Sequence, residues 1–507
     1  MKKILTQYIS IPKLAVILMS TFTFISCDNA LNVDPSDQYS ADTFWKDQEQ
    51  YNAALTSCYN NLYSSEIFFN GELDMLTPNA IAYNTANGTR TVAEGVAQTT
   101  NSLFSTFWNI SYQGIGRANT LLDKIDDAPF DEAISNQMKG EALFLRALYY
   151  SYLTTYFGDC PLILKTPNAA EQSSLPRTAK AEVVDQIVTD LEQAAQLLPE
   201  SYSGSNVGRA TKGAALALEA RVLLYNERWT ESAAAAKKVM NLNIYQLFNS
   251  YRGLYLPENE NNSEVIFDIQ YELPYFTTRF DFVCYNLHRP SPLKSLVDAY
   301  EMIDGKSTSE SPLYDPSQPY ENRDPRLHQT IAVIGYPFNG KTVTLADVPI
   351  TGFGQKKVTA FKDDVAQTIN DNNSDLNYIV MRYAEVLLTY AEAMNEASGP
   401  SPEVFDAINQ VRQRPTVNMP PLDENLTKDE LRKAIHLERR IELAGEGLYY
   451  ADILRWKTIE TLNNGPVYDY QGDVVDNRTF NPNRDYLWAI PQTEIQENPA
   501  LEQNPGW

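Results

Sequence analysis

Histidine is nearly missing from this chain: His288, His328 and His436 are the only three, and they stand in unrelated contexts. No HExxH or other paired-histidine spacing occurs, so the usual sequence mark of a catalytic metal site is lacking. No G-x-S-x-G turn is present to expose a serine nucleophile. Cysteine is scarce as well. Cys58, Cys160 and Cys284 stand at wide, unpatterned spacings, from which neither a disulfide framework nor a zinc site can be read. Buried free thiols are expected. Basic residues are outnumbered, with 41 Lys and Arg against 65 Asp and Glu and a net charge of −24. Nucleic acid needs a basic footprint for its phosphates, which argues against that partner. The excess acid serves solubility.

Long apolar runs are also absent, and the longest is instructive. Lys2, Lys3 and Lys13 precede residues 14–25 (LAVILMSTFTFI), which end at Ser26-Cys27. That run is too short to span a bilayer but suits the core of a secretory signal. A small residue followed by Cys is the pattern of a bacterial lipoprotein signal. Residues 1–26 are then the leader and Cys27 the lipidated first residue, its acyl chains holding an aqueous body to a membrane. Removing Lys2, Lys3 and Lys13 with the leader leaves a net charge of −27.

What is abundant is helix signal and aromatic residues. Apolar residues make up 43% and aromatics 11%, enough to bury a sizeable core. Residues 43–63 read as a helix with Phe44, Tyr51, Leu55, Tyr59 and Leu62 on one face. Helices are also expected over 103–125, 137–156, 181–198, 211–225, 229–240, 378–397 and 404–412. Small residues mark where two of them touch: Ala214, Ala217 and Ala220 against Ala233 and Ala236. The stretch 427–456 opens with a capping box, Thr427 and Glu430. Leu431, Ala434, Ile435, Ile441 and Ala444 follow at helical spacing, with Arg439 and Glu442 three apart on the polar side, close enough to pair. Gly445 and Gly447 stop that helix before a second one at 448–456. The fold class is mainly α: paired helices of tetratricopeptide type, each burying its apolar face on the next. Between them, 257–354 is broken by Pro and Gly, and short β runs are expected at 265–270, 330–334 and 356–361.

Residues 438–443 (ERRIEL), Glu446-Gly447 and 452–456 (DILRW) together resemble the C-terminal signature of the SusD/RagB family of bacterial surface lipoproteins. The match departs at Tyr449, where the family usually carries Arg, and at Ala451, where it usually carries an aromatic. The resemblance runs from Cys27 to Trp507, best at 137–162, 209–230, 292–330, 378–396, 434–456 and 486–507. It implies one SusD-like domain over 27–507, with an N-terminal part near 27–230 and a C-terminal part near 260–507. It further implies a non-catalytic protein, with no cofactor, on the outer leaflet of a Bacteroidetes outer membrane. Such a protein captures oligosaccharide and delivers it to a SusC-like TonB-dependent transporter. Asp28 and Asp34, just after Cys27, resemble the family's surface-export tag.

One motif suggests other chemistry. Residues 335–342 (GYPFNGKT) fit a phosphate-binding loop, but Pro337 removes a backbone amide and no helix pattern follows Thr342. The match is fortuitous. Carboxylates are plentiful, yet nothing selects the closely held pair that glycoside hydrolysis needs. Loop aromatics carry more, because an exposed ring is a platform for the apolar face of a sugar. They gather beside polar partners in two regions, 66–90 and 271–289, from which SusD-like proteins draw their ligand contacts. The candidate ligand-binding residues are Asp74, Tyr83, Arg90, Tyr275, Phe276, Arg279 and Tyr285; no metal ligands are assigned. Three alternatives stand beside glycan capture. A RagB-like peptide carrier would favour backbone-pairing groups and charged pockets. A secreted hydrolase with helical repeats needs a catalytic carboxylate pair. A repeat scaffold could bind protein alone.

Overall fold

The computed structural model describes residues 44–63, 70–82, 87–368, 370–371 and 373–507. Cys27, Tyr83, Asn84, Phe68 and Phe69 therefore lie outside the described residues. The chain is mainly helical. Its frame is a run of ten helices: α1 (Gln48–Asn60), α2 (Ser102–Ile125), α3 (Glu132–Tyr156), α4 (Lys180–Leu197), α5 (Lys212–Tyr225), α6 (Trp229–Asn241), α7 (Tyr383–Ser398), α8 (Pro402–Arg412), α9 (Lys428–Glu442) and α10 (Tyr449–Arg455). Neighbours in this order pack on one another from α2 to α8, and α9 packs on α7. The array is continuous in space although the chain leaves it for some 140 residues between α6 and α7. Alanines let α5 and α6 approach closely, and Ser232 donates to the Ala220 carbonyl at 2.8 Å. Arg221 of α5 then reaches α7, donating two 2.6 Å bonds to Glu385. Residues 488–507 return to the start of the array. Trp488 stacks on Tyr156 with centroids 4.5 Å apart, and Trp507 meets Phe104 edge-on at 5.3 Å.

The first helix is shorter than its apolar stripe predicts. It starts at Gln48, where Asp47 accepts from the Gln50 amide at 3.0 Å, and ends in a 3₁₀ turn at 61–63. A second difference lies at 378–382, expected to be helical. These residues form strand β8 (Tyr378–Arg382), antiparallel to β2 (Val265–Ile269), and α7 begins only after them. Tyr, Ile and Val favour a pleated surface, and a short buried apolar run does not by itself separate strand from helix. The expected strand at 330–334 is present as β4 (Ile331–Val333). It pairs with β7 (Phe353–Gln355), whereas the run expected at 356–361 is not a strand: the chain turns there and is buried.

The phosphate-loop match is a β-hairpin, β5 (Pro337–Phe338) and β6 (Lys341–Thr342), joined by Asn339 and Gly340 at positive φ. Asn-Gly is the preferred pair for such a two-residue turn. A Cβ on Gly340 would lie 2.3 Å from the Ala366 amide nitrogen. Gly340→Ala is therefore expected to destabilise by more than the ~1–2 kcal/mol of left-handed strain alone. The control is Gly472→Ala, at φ +88° with nothing within 4 Å. Equal losses in urea titrations of the two variants would contradict the clash.

The capping box at the start of α9 is present: the Thr427 amide donates to Glu430 at 2.9 Å and the Glu430 amide returns to Thr427 Oγ1 at 3.4 Å. The expected Arg439–Glu442 pair is not. Both are fully buried and face different partners. Arg439 donates to Asp452 at 3.0 and 3.2 Å, while Glu442 accepts from Arg382, Arg414 and Arg326. The charged side of α9 is thus interior over its second half, where Arg326, Arg382 and Arg414 cover Glu442. Around Glu442 the network extends to Glu264, Glu446, Glu438, Asp324, Arg412 and Lys357. Cys58, Cys160 and Cys284 are buried free thiols. Among the described residues, no helix is long and apolar enough to cross a membrane.

Candidate functional site

The two loop regions singled out above meet in space. Strand β1 (Ala80–Ile81) pairs antiparallel with β3 (Ser291–Pro292), and Glu72 accepts from both Asn87 and Arg289. Where the β2–β8 ladder ends at Ile269 opposite Tyr378, the chain continues as a tight turn. The Tyr271 amide donates to Asn377 Oδ1 at 2.8 Å, and Glu272 and Phe276 exchange backbone bonds of 2.7 and 2.8 Å. That turn thrusts Tyr275 out to 83% exposure, with Phe276 beside it at 47%.

The pair is supported from behind. Tyr63 stacks on Phe276 at 5.1 Å and 23°, meets Tyr271 edge-on at 5.4 Å, and donates its hydroxyl to the Gln270 carbonyl at 2.8 Å. Tyr63, Tyr271 and Phe276 therefore share one patch, held on a strand end and a helix end, and Tyr275 projects from the same turn. Aromatic pairs in such geometries contribute ~0.5–1.5 kcal/mol beyond their buried area, which favours a fixed arrangement. Beneath the patch is a small cavity of about 20 Å³ lined by Tyr255, Tyr271, Phe280, Leu376 and Tyr378, with Glu446 on its wall. Burial alone would raise the Glu446 carboxyl, but Arg382 and Lys357 outweigh it and hold Glu446 at about 2. It stays ionised and tied to those cations, so it has no proton to give.

The other candidates separate. Arg279, three residues beyond Phe276, is half exposed and gripped by Asp371 at 2.5 and 3.0 Å. Tyr285 belongs to a different aromatic group, 4.7 Å from Phe361 and 5.8 Å from Phe338, with the Lys341 ammonium 5.7 Å from its ring centre. Arg90 donates to Glu94 at 2.7 Å and lies 3.6 Å from Asp476 of β10 (Val474–Arg478). Asp74 does not belong to a ligand face: it is buried, accepts from the Gly445 amide at 2.7 Å, and is pushed up to about 7 by burial. Its polar neighbours in the sequence suggested a surface loop, but those residues pack under the α9–α10 turn. Tyr63 is not a candidate on sequence alone, because it continues the apolar stripe of α1 and reads as core. Its one distinguishing mark is that it ends that stripe where the first loop region begins. Among the described residues no group of three or more His, Cys, Asp or Glu is placed to hold a metal ion.

Comparison with known proteins agrees with this architecture. A model described as the SusD family matches residues 270–507, and one described as starch-binding associating with outer membrane matches 34–224. SusD-like protein P25 of Formosa agariphila is 26% identical over 97% of this chain and 98% of its own length. SusD-like protein P2 of the same organism is 29% identical, over 96% and 97%. The crystal structure of a SusD-like carbohydrate binding protein from Bacteroides fragilis superposes with a TM-score of 0.83. It is 30% identical, covering 91% of this chain and all of that one. The chain belongs to the SusD/RagB family.

Proposed function

We propose that this protein captures oligosaccharides at the outside of an outer membrane and hands them to a SusC-like TonB-dependent transporter, without acting on them chemically. The observation that carries the reading is the Tyr275–Phe276 pair, exposed on a hydrogen-bonded turn and backed by Tyr63 and Tyr271. Large apolar rings left in water on a braced turn suit the flat CH face of a sugar ring, while neighbouring polar groups meet its hydroxyls. The match to a starch-binding outer-membrane family and the likeness to a carbohydrate binding protein support the same ligand class. Cys27, acylated, supplies the anchor, and movement of the body relative to the transporter opens the site.

The test is calorimetry on soluble protein beginning after Cys27, against malto-, cello-, laminari- and xylo-oligosaccharides and a mixed peptide pool. Heat with at least one sugar series, with no product formed, is expected. Tyr275→Ala should weaken that binding about tenfold, or ~1.4 kcal/mol. Heat from peptides with none from sugars would replace glycan by peptide as the cargo, and product formation would make the protein a hydrolase.

A further inference from the structure

A second cleft, of about 260 Å³, opens beside the aromatic patch between the loop leading into α5, the turn after α6, and the start of β2. Two half-buried rings form its walls and both are fixed: the Tyr202 hydroxyl donates to Glu141 at 3.2 Å, and the Tyr245 hydroxyl is 3.2 Å from Thr211 Oγ1. Val207 and Ile244 stand at its mouth, each 40% exposed. Arg209 is the one cation among the residues that line it, and it is already held by Asn52 at 2.9 Å and Glu141 at 3.4 Å. Two carboxylates also line it: Asp268 is taken up by Gln270 and Asn377, which leaves Glu200 at the rim. An anionic ligand would find no uncommitted cation there, whereas ring faces, hydroxyls, carboxamides and an accepting carboxylate suit the hydroxyls of a neutral one.

Gln270 joins this cleft to the aromatic patch. On the cleft side its amide donates to Asn261 at 3.0 Å and Asp268 at 2.6 Å; on the other its carbonyl accepts from Tyr63. Gly208, at φ +91°, lies so close that a Cβ there would sit 2.4 Å from Gln270 Cγ, so the cleft wall closes directly on this bridging residue.

We propose that the Tyr202–Tyr245 cleft is a second carbohydrate subsite, continuous with the Tyr275–Phe276 patch across Gln270, that binds the far end of a neutral oligosaccharide and so selects for chain length. This rests on the glycan reading above. Val207→Arg and Ile244→Arg place bulk at the mouth without touching the core, and unchanged thermal melting will verify their folds. Calorimetry with maltotriose and maltoheptaose, and with laminaritriose and laminariheptaose, is the test. For whichever series binds, the heptasaccharide should bind wild type at least tenfold more tightly than the trisaccharide. The two variants should abolish that gain and leave the trisaccharide unchanged, whereas Tyr275→Ala weakens both lengths. A gain that survives in the variants, or no gain in wild type, overturns the subsite while the glycan reading stands. Wild type binding neither series, with peptides bound instead, overturns both.

Discussion

Arg382→Ala should destabilise this protein by about 3–5 kcal/mol, the range for stripping one partner from a buried ion network. The side chain is 1% exposed and touches three carboxylates. Its guanidinium donates to Glu446 at 2.8 and 2.7 Å, to Glu264 and Glu442 at 2.8 Å each, and to the Glu442 carbonyl at 2.8 Å. Removal leaves three buried acids sharing Arg414, Arg326 and Lys357. Arg382→Lys keeps the charge but loses the planar fork, so it should fall between wild type and Ala. Lys294→Ala, which breaks only the exposed pair with Asp298, should change stability by less than 1 kcal/mol. Urea titrations of all three decide the matter: a loss under 1 kcal/mol for Arg382→Ala would mean the network is dispensable. The consequence reaches the ligand face, because Arg382 ends the strand whose other end, Tyr378, lines the cavity under Tyr271.

Stability should peak near pH 5 and fall on either side. Burial raises Asp74 to about 7, Glu260 to about 7 and Asp268 to about 6. Between pH 7 and 5 the folded chain therefore takes up protons that the unfolded chain, with ordinary carboxyl pKa values near 4, does not. Folding is favoured as pH drops through that window. Below about pH 4.5 the sign reverses. Burial pushes Glu442 up, but Arg414, Arg382 and Arg326 hold it at about 2, as Arg382 and Lys357 hold Glu446. The unfolded chain then protonates these groups first, and each linkage removes on the order of 3 kcal/mol by pH 2. Melting temperatures at pH 3, 5 and 7.5 should be highest at pH 5. Asp74→Asn should flatten the neutral side. A midpoint that rises steadily from pH 5 to 7.5 would refute the assignment.

Much of the scaffold was legible in the chain, because helices betray themselves through local spacing. Thr427 and Glu430 mark a helix start that is present as expected, and the alanines of 214–236 mark a contact between two helices. What local pattern could not convey was which side of α9 faces inward. Glu438, Arg439 and Glu442 look like a solvated stripe until Arg326, Arg382 and Arg414 fold over the two glutamates and Asp452 meets Arg439. The candidate site shows the same division. Tyr275 and Phe276 were identifiable as loop aromatics, but their support, Tyr63, lies some 210 residues earlier at a position any reader of periodicity assigns to the core. Asp74 shows the opposite case: its loop is irregular yet buried, and irregularity is not exposure.

The return of residues 488–507 to α2 and α3 bears on how the chain matures. Synthesis delivers Phe104, Phe107 and Tyr156 early, yet their covering rings, Trp488 and Trp507, emerge more than 330 residues later. A chain interrupted before residue 488 exposes that aromatic floor at the head of the array. Nascent and truncated chains thus present a sticky aromatic surface that the folded chain covers.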